Sequence, residues 1–110
     1  MAGRSRRPST CVWCGRPVPD AGMGRRRRYC RQSCRQRAYE QRAAVKGTAV
    51  PVDAVVLTAD EATALADRAF EVRCLAEDVA TAVDEGASAD ELSRLCADLV
   101  ERSRDAERLR

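Results

Sequence analysis

Four cysteines set the terms for the first third of this chain: Cys11 and Cys14, then a fifteen-residue interval, then Cys30 and Cys34. Each closely spaced pair can present two sulfurs from one turn, and two such turns close a tetrahedron around a single metal ion. Gly15, directly after the second cysteine, suits the sharp turn that aims backbone amides at the sulfurs. Cys30 and Cys34 straddle an expected helix start, where side chains four apart share a face. Little else here can hold a fold. The chain has 110 residues but four aromatic ones, Trp13, Tyr29, Tyr39 and Phe70, and its first half is poor in aliphatic side chains. A module with so small a core depends on a metal, on disulfides or on a partner chain.

No apolar h-region follows the basic N-terminus, and no run approaches the roughly 18 apolar residues that span a bilayer. The chain therefore reads as cytoplasmic and without a membrane partner. Thiols stay reduced there, and clustered cysteines bind metal more often than they form disulfides. One structural Zn2+ on Cys11, Cys14, Cys30 and Cys34 is the expected cofactor. A mononuclear iron or an iron–sulfur cluster also accepts four thiolates; the basic surroundings and the C-x3-C second pair favour zinc. A catalytic zinc needs an open position, commonly with histidine or carboxylate ligands beside a general base. The chain has no histidine, and four cysteines fill the coordination sphere. With no nucleophile elbow and no phosphate loop either, the reading is that the protein is not an enzyme.

The charge is divided. Residues 1–46 carry twelve arginines and Lys46 against Asp20 and Glu40, a net +11, whereas residues 47–110 carry seven arginines against fifteen acids, a net −8. A dense basic block favours polyanions such as nucleic acid, because each phosphate contact releases condensed counterions. On a helix beginning near Arg31, one face carries Cys34, Ala38, Gln41 and Val45, turned to the metal and the core. Another carries Arg31, Arg35, Tyr39, Arg42 and Lys46. This stripe, with Arg25, Arg26, Arg27 and Arg28 just before it, is the candidate nucleic-acid surface, DNA ahead of RNA. Trp13 and Tyr39 are candidates for stacking on unpaired bases, although Trp13 is expected mainly to cover the metal site and Tyr39 to pack partly on the hairpin.

The run Cys11-Val-Trp-Cys14-Gly15-Arg-Pro, followed by Arg25-Arg-Arg-Arg-Tyr29-Cys30-Arg-Gln-Ser-Cys34-Arg-Gln-Arg-Ala-Tyr39, resembles the small four-cysteine treble-clef zinc fingers of actinobacterial proteins. It is also loosely similar to the CGNR-type zinc finger, with Ser33-Cys34-Arg35-Gln36 at the place of that tetrapeptide. Over residues 11–42 the resemblance implies a zinc knuckle, a short β-hairpin, a helix carrying the last ligand and a DNA-binding role.

The chain then divides into a disordered basic arm (1–10), the zinc finger (11–46), a linker (47–57) and an acidic helical hairpin (58–110). Val50–Leu57 can form an extended edge, against which Pro51 and Asp53 argue. Thr58-Ala-Asp-Glu61 and Ser88-Ala-Asp-Glu91 fit capping boxes on either side of a break at Gly86. They predict antiparallel helices over about 59–85 and 89–109. Heptad-like seams run through Ala62, Leu65, Ala69, Val72, Ala76, Val79 and Val83, and through Leu92, Leu95, Leu99, Arg102, Ala106 and Leu109. Seams this thin point to a coiled-coil homodimer or a protein partner as readily as to a lone hairpin. Cys74 and Cys96, nearly level across the turn, read as small buried or half-buried thiols. The fold expected is mostly α: a metal-stabilised finger, then a helical hairpin or coiled coil.

Overall fold

The capping signals at Thr58 and Ser88 mark the second and third helices in the computed structural model, which describes residues 8–19, 24 and 27–110. Helix α1 spans Gln32–Val45, α2 Ala59–Asp84 and α3 Ala89–Ala106. The chain divides into two compact units, Met1–Val56 and Leu57–Arg110.

The first unit is built around sulfur. Its core is Cys11, Cys14, Val18 and Cys34, with Trp13, Tyr29 and Cys30 packed against it. From α1, Cys34 and Ala38 are buried and Gln41 and Val45 half-buried, the face expected from the helical period. The helix ends at Lys46 because Gly47 (φ 81°) turns left-handed, and Thr48 returns a backbone bond to the Val45 carbonyl at 3.0 Å.

The expected β-hairpin is not found among the described residues. They contain one isolated antiparallel bridge, Thr10 to Pro17, flanked by the bonds Cys11 N–H to Arg16 O (2.8 Å) and Val18 N–H to Ser9 O (2.9 Å). In this register the amides of residues 17 and 19 face away from the Ser9–Cys11 strand, so the prolines there leave both bridge bonds intact. Residues 20–23, 25 and 26, where the rest of that hairpin was expected, lie outside the described residues, as do residues 1–7 of the basic arm. Residues 50–57 form no strand: Ala54 N–H bonds the Pro51 carbonyl at 3.1 Å, closing a turn, and Gln41 Nε2 donates to the Ala54 carbonyl at 3.2 Å.

The second unit is a hairpin of α2 and α3. Thr58 and Glu61 form the full capping box, at 3.0 and 2.9 Å, and Ser88 Oγ accepts from Glu91 N–H at 3.2 Å. Helix α2 stops in a Schellman arrangement: Gly86 (φ 70°) bonds back to Val83 O and Ala87 to Ala82 O.

The seam of α2 lies one residue away from the expected track. Leu65, Val72, Leu75, Val79 and Ala82 are half-buried and Arg68 is buried, while Ala62, Ala69, Ala76 and Val83 are exposed. Both tracks alternate steps of three and four through the shared Leu65, Val72 and Val79. The observed one turns Leu75 inward in place of Ala76, which removes more apolar area from water. Arg102 likewise leaves the seam of α3: it is exposed and reaches Glu71 Oε2 at 3.2 Å, while Ser103 takes the inward place and bonds the Leu99 carbonyl.

Arg68 is inside for a reason. Its Nη2 donates to the carbonyls of Arg108 (2.9 Å) and Leu109 (3.4 Å), just past the end of α3. A cation hydrogen-bonded to backbone oxygens just past a helix C-terminus also sits near the negative end of that helix's dipole. Arg68→Ala is expected to destabilise the hairpin by about 1.5–3 kcal/mol, read as a lower thermal midpoint, with Arg68→Lys recovering part of the loss. An unchanged midpoint would show that these bonds carry no stability.

Cys74 is half-buried as expected, but Cys96 is exposed, and both are free thiols. No helix among the described residues is long and apolar enough to cross a membrane.

Candidate metal centre

Two turns deliver the sulfurs. In the first, Gly15 (φ 79°) folds the chain so that its N–H bonds the Cys11 carbonyl at 2.9 Å, and Cys11 N–H closes on Arg16 O. In the second, Cys30 lies ahead of α1 and Cys34 in its first turn. A bond from Val12 N–H to Arg28 O at 2.9 Å ties the two turns together.

The four Sγ atoms of Cys11, Cys14, Cys30 and Cys34 lie within 4.8 Å of one another. Cys14 to Cys30 and Cys30 to Cys34 are each 3.6 Å. A tetrahedral ion with metal–sulfur bonds of about 2.3 Å needs sulfurs about 3.8 Å apart. The site therefore fits one four-coordinate structural metal ion. When bound, such an ion supplies a cross-link between the two turns, and its four sulfur ligands leave no position for substrate.

Two arginines balance the sulfurs' charge. The backbone and side chain of Arg16 hydrogen-bond Cys14, and the Arg31 side chain bonds the sulfurs of Cys34 and Cys30, which raises its own pKa. Burial alone would raise the Cys14 thiol, but the Arg16 bonds outweigh it and bring it down to about 6. Burial pushes Cys30 up to about 12, with its bonds to Cys14 and Cys34 acting the same way, and burial raises Cys34 too.

These shifts set the pH response. A metal binds thiolate, so each protonated ligand must release its proton. At pH 7 Cys14 is already ionised, whereas Cys30 and Cys34 hold theirs. Apparent affinity should fall at least about a hundredfold for each pH unit lowered, and more steeply below about pH 6, where Cys14 also protonates. Cobalt(II)–thiolate absorption under chelator competition would measure this. A flat profile would exclude these thiols as ligands.

Beside the metal centre runs a shallow groove. Of the residues expected to act together, Arg27, Arg28, Arg31, Arg35, Tyr39 and Arg42 line it. Lys46, the C-cap of α1, does not, and Arg25 and Arg26 lie outside the described residues. Tyr29, Gln32 and Gln36 complete the lining and were not anticipated. The two glutamines each follow a stripe arginine in sequence, which was signal enough to find them. Tyr29 likewise follows a candidate arginine, Arg28, and Arg42 Nη1 donates to its hydroxyl at 3.1 Å across thirteen residues. Among the described residues, no carboxylate lines the groove. Arg31 faces both ways, bonded to the sulfurs and lining the groove. Tyr39, expected to pack partly on the hairpin, is 62 % exposed, and much of that hairpin segment lies outside the described residues.

No protein-family model matches the chain, and neither the curated proteins nor the solved structures give a significant match.

Proposed function

We propose that the first unit is a zinc-organised, treble-clef-like module that binds nucleic acid, DNA foremost, through the groove beside its metal. The second unit is an acidic hairpin that joins the module to a second copy or to a protein partner. The role is binding rather than catalysis, as in a small transcriptional regulator or a nucleoid accessory factor.

One observation carries the reading: among the described residues, five arginines and no carboxylate line a single groove. Four thiolates with Zn2+ would leave a local charge of about −2, and Arg16 and Arg31 already lie against the sulfurs. Arg27, Arg28, Arg35 and Arg42 remain for an outside anion. The partner role of the hairpin draws support from its burial. No residue of α3 is fully buried and Arg68 alone is in α2, so Leu75, Leu92, Leu95 and Leu99 stay half-covered. A second hairpin laid against them would bury more apolar area than either gains alone.

The test is a nucleic-acid titration of the zinc-loaded chain at two salt concentrations, with metal analysis of the purified protein. Binding that weakens steeply with salt and disappears on chelation supports the reading. Metal-loaded protein that ignores DNA and RNA at low salt removes it and directs attention to an acidic protein surface.

A further inference from the structure

Resting on that nucleic-acid reading, we infer that the groove takes single strands in preference to duplex. The geometry comes first. An α-helix with its side chains is about 10–12 Å across and by itself fills the major groove of B-DNA, about 12 Å wide. The cationic face of α1 is not free to enter alone. The Arg27–Tyr29 segment lines the same groove, joined to α1 by the 3.1 Å bond between Arg42 and Tyr29. A projecting recognition helix reads a duplex; a groove lined from both α1 and the Arg27–Tyr29 segment suits one backbone.

The chemistry agrees. Tyr39 stands 62 % exposed between Arg35 and Arg42 on α1, and among the described residues it makes no hydrogen bond. Its neighbour Ala38 supplies the core contact of that turn, so the ring's exposure does not serve the unit's packing. An uncovered aromatic plane flanked by guanidiniums is the pairing that holds unpaired bases: arginines neutralise the phosphates while the ring stacks on a base face. In a duplex those faces are already stacked on one another, and Tyr39 would gain nothing.

The full-length, zinc-loaded chain should be titrated at one salt concentration with fluorescent oligo(dT), oligo(U) and a mixed-sequence duplex of equal length, as wild type, Tyr39→Phe and Tyr39→Ala. Metal content and far-UV circular dichroism verify the fold of each variant. The expected result is at least about tenfold tighter binding of single strands than of duplex. Tyr39→Phe should keep it, and Tyr39→Ala should lose about five- to hundredfold on single strands while changing duplex binding less than twofold. Tighter oligo(U) than oligo(dT) binding would assign the strand as RNA, and the reverse as DNA. Duplex binding as tight as single-strand binding, or equal loss on both in Tyr39→Ala, would overturn the inference and leave the groove as a phosphate surface. Binding of neither would instead overturn the nucleic-acid reading itself.

Discussion

Replacing Cys34 with alanine is expected to cost the protein its metal and to unfold the first unit while the second stays helical. The core of the first unit is Cys11, Cys14, Val18 and Cys34, so three of its four residues are sulfur ligands. Among the described residues, Val18 and Ala38 are the other buried apolar side chains there. That apolar area cannot offset the entropy of ordering the unit, for which a structural metal supplies on the order of 10–16 kcal/mol in small fingers. Cys34 is 3 % exposed in the first turn of α1, and its loss detaches that helix from the knuckle. The hairpin has its own caps and seam and is a separate compact unit. Metal analysis with amide hydrogen exchange would show lost stoichiometry and fast exchange over α1, with protection kept in α2 and α3. A chelator should reproduce the pattern in the wild type. A variant that keeps full metal and a protected α1 would show that the sulfur cluster does not hold this unit together.

The second large effect is expected from charge. Arg35→Glu with Arg42→Glu, both in the groove and neither among the sulfurs' hydrogen-bond partners, should weaken nucleic-acid binding about a hundredfold near 0.1 M salt. Each lost phosphate contact also flattens the plot of log affinity against log salt, by about 0.7 for single strands and 0.9 for duplex. The double variant should therefore lose about 1.4–1.8 of the slope. Arg37→Glu is the matched control, because Arg37 is exposed on the same helix but does not line the groove; it should change affinity less than about threefold. If all three substitutions act equally, the attraction belongs to the unit's overall charge and not to the groove.

How much of this was legible in the sequence depends on the range of the interactions. The pairing of Cys11–Cys14 with Cys30–Cys34 was readable because two short turns and one chemistry leave few arrangements. The starts of α2 and α3 were readable because Thr58 and Ser88 bond partners three residues away. The inward face of α1 follows from helical period alone. The α2 seam was not readable, since two tracks satisfy the same spacing through Leu65, Val72 and Val79. The charge of Arg68 argued for the wrong one, and its partners, the carbonyls of Arg108 and Leu109, lie some forty residues on. Of the expected hairpin the described residues carry a single bridge, Thr10 to Pro17, and residues 20–23, 25 and 26 lie outside them.

What the sequence by itself determined, then, are the four-cysteine cluster, the helix starts and the side of α1 that turns inward, because neighbours within a few residues decide them. Tertiary structure decided which arginine goes inside the hairpin, that Arg31 turns back on the sulfurs and that Tyr29 closes the groove onto Arg42. Each of those is a choice of partner for a long polar side chain. Such a side chain reaches several positions at similar cost, so only the folded neighbourhood, by offering an unsatisfied acceptor within reach, selects one.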